Sequence, residues 1–378
     1  MTTRLRVLDL TDAAAVYATR LLVDLGADVV RISAPGRSES PDAAYRFFNA
    51  GKRSARIDLR RDGGLDVLAR LCATADAVVE GIEPVFDETE RAFARCRDAN
   101  PGLTWVATRP FDPGVRDGGT SAEIVRYAQS GLMSITGMPG QAPALIGGRL
   151  TDAVTATYAA LACYLGHRMA RTTGSGRLIY VSAHEALSTL MQQGLYEAAF
   201  SGRVVKRGGN RHAHIAASGA LACRDGYVVI SANERRMWQS LVETVGDDRL
   251  RDPALNDERV RMQRQAEIFD VLEAWTRRFT KAELSDLAQA RGIPVAPVHD
   301  VEDLRRDPQL RARGFFERID GDDVATLLVP WKQPRSAAPH PGQHTAAVLS
   351  EAGFSEQEIA RLDAGGIVQA VHQSGARA

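Results

Sequence analysis

The first third of the chain alternates short apolar runs with helix-period segments, and few folds tolerate that alternation. Residues 5–10 read as a strand and 13–25 as a helix. Residues 27–32 read as a second strand, brought back parallel to the first by a right-handed crossover. Strands over 54–59, 77–79 and 103–108, with a helix over 63–73, continue the rhythm. The pattern predicts an α/β fold: a parallel sheet covered by helices. The turn after the first strand reads Thr11-Asp12-Ala13-Ala14-Ala15. It lacks the glycines that let backbone approach a pyrophosphate, so a nicotinamide-type site and a Walker loop are excluded.

The pattern changes in the middle. Residues 220–232 alternate around Asp225-Gly226, a hairpin signal, and helical segments follow at 235–245, 259–279 and 281–291. These boundaries predict a large Rossmann-like domain over 1–200 and 325–378 and a smaller α+β domain over 217–320. Residues 201–216 and 321–324 are the expected linkers.

Charge and cysteine usage narrow the class. The 47 Lys and Arg balance 47 Asp and Glu, which argues against nucleic acid as a partner. No apolar run reaches membrane-spanning length, and the polar start is unlike a signal peptide, so neither a membrane partner nor export is expected. Cys72, Cys96, Cys163 and Cys223 are too scattered for a metal or redox pair, and they read as packing residues of a reduced, cytoplasmic compartment. His212 and His214 are spaced as a metal pair would be, but no third ligand lies near, and no metal is expected.

Chemistry concentrates in residues 127–186. Here Gly147-Gly148 precedes a lone acid, Asp152, at the start of a long apolar helix over 153–170. The positive end of a helix would keep such a carboxylate ionised and therefore nucleophilic. Thr151 or Asp152 would equally serve as a plain helix cap, and local pattern leaves both readings open.

Several segments together carry a family resemblance. They are VLDLT at Val7, LLVDLGADVVRIS at Leu21, FFNAGKRSARIDL at Phe47, ADAVVE at Ala75 and YAQSGLMSITG at Tyr127. The Asp152 helix with TTGSGRLIYVSAHEAL, RGGNRHAH at Arg207, and GIPVAPVHDVEDLRRDPQLRARGFF at Gly292 continue the series. In order and spacing the chain resembles a class III (CaiB/BaiF-type) coenzyme A transferase, the group that includes formyl-CoA transferase, carnitine CoA-transferase and α-methylacyl-CoA racemase. The resemblance implies an interlocked homodimer and an essential aspartate at Asp152. It also implies coenzyme A as co-substrate, with CoA moving between an acyl-CoA and a carboxylic acid through aspartyl anhydride and aspartyl-CoA thioester intermediates. Amides at Gly147 and Gly148 are candidate oxyanion donors, and Arg31, Arg37, Lys52 and Arg53 are candidate contacts for the CoA phosphates.

The chain departs from the family at Ala14-Ala15-Val16, Ser33-Ala34, Gly81-Ile82 and Phe111–Gly114, places where relatives hold CoA. Ala122 stands where the racemases carry a histidine, which disfavours racemisation. Two alternatives follow from these departures. One is a diverged member acting on a carrier-protein thioester, or as a lyase, cyclase or racemase, with an acyl carrier protein as partner. The other is a catalytically inactive scaffold.

Overall fold

The structure is a computed structural model that describes residues 4–36, 42–86, 88–114, 122–326 and 335–370. It divides into two compact units, one formed by Met1–Leu132, Ile146–Tyr196 and Gln309–Ala378, the other by Met133–Leu145 and Glu197–Pro308. In the first unit the strands are β1 (Arg6–Leu10), β2 (Asp28–Ser33), β3 (Arg53–Arg56), β4 (Ala77–Glu80), β5 (Thr104–Arg109) and β6 (Leu178–Ser182). They form one parallel sheet in the order β3-β2-β1-β4-β5-β6. In chain order the helices before β6 are α1 (Val16–Asp24), α2 (Ala43–Asn49), α3 (Gly64–Cys72), α4 (Thr89–Ala99), α5 (Glu123–Gln129), α6 (Leu132–Ile135) and α7 (Leu150–Thr173).

Strand alternation sorts the core onto two faces. Val7, Val29, Val79 and Val106 pack with Ala18 and Leu22 of α1 and with Ala156, Ala159 and Cys163 of α7. Leu8, Val30, Val78 and Trp105 face Leu68 and Leu71 of α3 and Phe93 of α4 on the other side. The inward face of α7 is made of small residues, and at Gly166 an added Cβ would meet Thr104 Cγ2 at 2.6 Å and Ile179 Cδ1 at 2.8 Å. That glycine sets how closely α7 lies on β5 and β6.

The order of strands reverses between β1 and β4, the place where open α/β sheets commonly bind ligands. Here that crevice is stitched shut. Asp12 Oδ1 accepts the amides of Ala14 and Ala15 at 3.0 and 3.1 Å, and Oδ2 accepts Glu83 N–H at 2.7 Å. Gly81 lies against the same residue, since a Cβ there would stand 2.5 Å from Asp12 N. A carboxylate of the protein thus takes the amides leading into α1, where a phosphate would otherwise sit.

The second unit contains a three-stranded antiparallel sheet: β7 (Ser218–Cys223), β8 (Gly226–Ser231) and β9 (Val295–Pro297). The hairpin predicted around Asp225-Gly226 forms, with Arg224-Asp225 as its turn and Gly226 opening β8. Helices packed on this sheet contribute Trp238, Leu241, Phe269, Leu272 and Leu284 to a separate core. Residues 133–145, expected in the large domain, belong to this unit. The Arg207 guanidinium holds them by donating to the carbonyls of Ser134 at 3.3 Å and Gln141 at 2.9 Å. Residues 309–320, expected at the end of the small domain, and the expected linker 321–324 belong to the first unit. Arg335 ties Glu317 to Asp24 of α1 there, at 2.8 and 2.7 Å.

Deep in the first unit, Lys52 donates to Asp9 Oδ2 at 2.8 Å and to Thr19 Oγ1 at 2.9 Å, and both charged side chains are wholly enclosed. Burial pushes Lys52 down to about 8; at Asp9 burial acts to raise the carboxyl, but the charges of Lys52 and Arg31 and the hydrogen bonds from Lys52 and Thr11 together outweigh it and hold Asp9 at about 2. The contribution of Asp9 to stability is therefore complete above its ordinary value of 3.8 and disappears as pH falls through about 2. Lys52→Met is expected to lower stability to urea unfolding by about 3–5 kcal/mol by stranding the buried carboxylate, and Asp9→Leu in the same chain should recover most of that loss.

Candidate active site

α7 runs antiparallel to the strands it connects, so its first turn lies at the carboxyl end of the sheet. Two successive left-handed residues lead into it: Gly148 at φ 80° and Arg149 at φ 54°. Arg149 occupies the cap position without a side-chain cap bond, and Asp152 lies within the first helical turn. Neither Thr151 nor Asp152 is the cap that the local pattern allowed. Thr151 Oγ1 instead donates to Glu123 at 2.8 Å.

The Asp152 side chain is 9% exposed and gripped by two guanidiniums. Arg126 of α5, only 1% exposed, donates through Nη2 to Oδ1. Arg149, 48% exposed, donates to Oδ2 through Nε at 3.0 Å and Nη2 at 2.8 Å. Nη2 of Arg149 also reaches the Ala13 carbonyl at 2.8 Å, tying the first turn of α7 to the loop after β1. Nε and Nη1 of Arg126 are buried and have no hydrogen-bond partner among the described residues. Burial pushes the Asp152 carboxyl above its ordinary value of 3.8, against the opposing pull of Arg149 and Arg126 and with help from the charge of Glu123.

Beside Asp152 lies a cleft of about 230 Å³, lined by Tyr17, Phe47, Phe48, Gly148 and Arg149. Phe48 stands edge-on to both Phe47 and Tyr17, at centroid distances of 5.0 and 6.2 Å, giving the cleft an aromatic wall. One carboxylate, one exposed guanidinium and an apolar wall can orient a thioester and deliver an oxygen nucleophile to it.

The expected phosphate contacts are placed elsewhere. Lys52 is enclosed in its ion pair with Asp9, out of reach of any ligand. Arg31 on β2 is buried, donates to the Thr11 carbonyl at 3.4 Å and serves the same buried charge. Arg53 opens β3, at the amino end of a sheet whose carboxyl end carries Asp152. It is held there by Asp28 at 2.6 Å and Glu351 at 2.8 Å. Arg37 lies outside the described residues. Gly148 lines the cleft, and Gly147 is exposed next to it. His212 accepts the His214 amide at 3.1 Å, a local turn rather than a gathering of ligands.

A model of CoA-transferase family III matches residues 3–345. The chain belongs to CoA-transferase family III. It is 26% identical to a succinyl-CoA–D-citramalate CoA-transferase of Chloroflexus aurantiacus, over 95% of this chain and 96% of that one. It is 29% identical to a succinyl-CoA:mesaconate CoA-transferase of Haloarcula hispanica, over 92% of this chain and 96% of the relative. The crystal structure of a CaiB/BaiF family protein from Brucella suis superposes with a TM-score of 0.82 at 26% identity, covering 92% of this chain and 98% of that one. The chain is therefore an enzyme of a family that transfers CoA. Among the described residues no helix of this family member is long and apolar enough to cross a membrane.

The elevated Asp152 carboxyl has a kinetic signature if the ionised form is the reactive one. The acid limb of kcat/KM for the free enzyme should lie above the ordinary aspartate value of 3.8. Arg126→Gln removes a cation that favours the carboxylate, so it should move that limb to still higher pH in a pH–rate profile.

Proposed function

We propose that the protein moves CoA from an acyl-CoA to a free carboxylic acid, with Asp152 as the nucleophile. The observation that carries this reading is a carboxylate at a helix start, nearly enclosed yet open to an apolar cleft. Oδ2 attacks the thioester carbonyl, the C–S bond breaks, and CoA leaves as a thiolate from a mixed aspartyl anhydride. The thiolate attacks the aspartyl carbonyl, the anhydride C–O bond breaks, and the donor acid leaves as a carboxylate. An acceptor carboxylate reverses both steps, and no proton is transferred in any of them. Each intermediate divides one difficult transfer into easier ones. Amides at Gly147 and Gly148 are the proposed donors to the tetrahedral oxyanions.

The cleft of about 230 Å³ suits an acyl group and the end of a pantetheine arm, being smaller than the roughly 300–1,000 Å³ typical of sites for larger ligands. Relatives named for succinyl-CoA make succinyl-CoA the first donor to test and dicarboxylic acids the first acceptors. A second reading replaces CoA with a carrier protein's pantetheine. It draws support from Asp12, which already holds the amides at which a nucleotide phosphate would bind.

A homodimer is part of the proposal. It is supported by the outer face of α7, where Tyr158, Leu161, Tyr164, Leu165 and Met169 are each at least 40% exposed, a stripe of the kind a second copy covers. The four buried cysteines are free thiols, which supports a reduced, cytoplasmic compartment.

Intact-mass measurement after incubation with succinyl-CoA tests the mechanism. The expected result is a mass gain equal to a CoA thioester that Asp152→Ala abolishes. An adduct formed only from an acyl carrier protein would establish the second reading. No adduct from either donor would leave a protein that has given up catalysis.

A further inference from the structure

We infer that Arg126 and Arg149 form the binding site for the free acid, and that Arg149 passes from Asp152 to the acid's carboxylate once Asp152 is acylated. The inference rests on the reading of Asp152 as nucleophile, and it assigns the recognition of the acid to two residues.

Four charged side chains meet at the start of α7: Arg126, Arg149, Asp152 and, through Thr151, Glu123. With Asp152 ionised they sum to zero. Esterifying Asp152 as an anhydride or thioester removes its charge and leaves an excess of one cation beside the reacting carbonyl. A buried guanidinium cannot shed its proton to compensate, so the intermediate state calls for an anion. The chemistry supplies one at that moment, because a donor acid has just left and an acceptor acid must arrive.

The two arginines are suited to different parts of this exchange. Arg126 is fixed by burial and has two nitrogens, Nε and Nη1, without partners among the described residues. Such stranded donors are costly unless a ligand uses them. Arg149 is half exposed, borders the cleft and grips Oδ2. When Oδ2 forms its bond to the acyl carbon it loses its charge, and Arg149 is released to an incoming anion. Arg149 thus guards the resting carboxylate and then holds its replacement, and the fork of a guanidinium matches either carboxylate in the same geometry.

Calorimetric titration of the full-length protein with sodium succinate at constant ionic strength reads the site without turnover. Asp152→Asn keeps the side-chain shape and imitates the uncharged intermediate. It is expected to bind succinate at least tenfold more tightly than the wild type. Adding Arg149→Gly should abolish that gain, and adding Arg149→Lys should retain part of it. Glycine accepts the left-handed backbone at residue 149, so its effect reports the lost side chain and not a broken turn.

Equal succinate affinity in the wild type and Asp152→Asn, or a gain that survives Arg149→Gly, would overturn the inference. Should Asp152→Asn not fold, Arg149→Gly alone decides. It is expected to raise the acceptor KM at least tenfold while the aspartyl-CoA adduct still forms from succinyl-CoA, and an unchanged acceptor KM refutes the assignment. Absence of that adduct in the wild type would defeat the nucleophile reading alone, since succinate binding by Asp152→Asn is measured separately.

Discussion

Everything at the site depends on how closely α7 can lie on the sheet. Beyond Thr155 its inward face presents Ala156, Ala159, Ala160, Cys163, Gly166 and Ala170, none larger than a cysteine. Bulky side chains there would lift the helix from β5 and β6 and carry its first turn away from α5 and from the loop after β1. Close packing of small residues gains little apolar area per residue, but it fixes position sharply because interiors deform so little. The result is that Asp152 meets Arg126 from one element and, through Arg149, the Ala13 carbonyl from another.

The electrostatics of the unit are arranged in pairs at two depths. Asp9 and Lys52 neutralise each other beyond the reach of solvent, with Thr11 and Thr19 completing the hydrogen bonding of the carboxylate. Asp152 and its arginines repeat the arrangement nearer the surface, with one difference. Arg126 keeps unused donors and Arg149 is exposed. The inner pair is saturated and serves the fold. The outer group is unsaturated and can respond to a ligand.

Much of the fold was legible because strand and helix periods in this chain are clean. The runs at residues 5–10, 27–32 and 103–108 are strands, the Asp225-Gly226 hairpin forms, and the parallel sheet follows from the alternation. The long helix after Gly147-Gly148 was legible too, although it begins at Leu150, a turn earlier than its apolar stripe suggested. The partners of Asp152 were not legible. Arg126 lies 26 residues upstream, and only tertiary packing brings it near. Nothing in a sequence marks a non-glycine residue such as Arg149 as left-handed. Lys52 read as a candidate phosphate contact because composition cannot tell an interior charge from an exterior one. The clue lay in Asp9, a carboxylate inside an apolar strand, which requires a buried cation somewhere. Arg53 misled for a related reason: a basic residue near a strand does not reveal which end of the sheet it will occupy.

The backbone at residue 149 has a consequence for how such a chain changes over generations. An arginine in the left-handed region carries a standing cost of about 1 kcal/mol, which glycine would not. Every arginine codon lies a single base from a glycine codon, so replacements that relax the turn arise constantly. Random drift under selection for stability alone would therefore empty this position of its side chain. What such a replacement forfeits is the guanidinium's hold on Asp152 and on the Ala13 carbonyl.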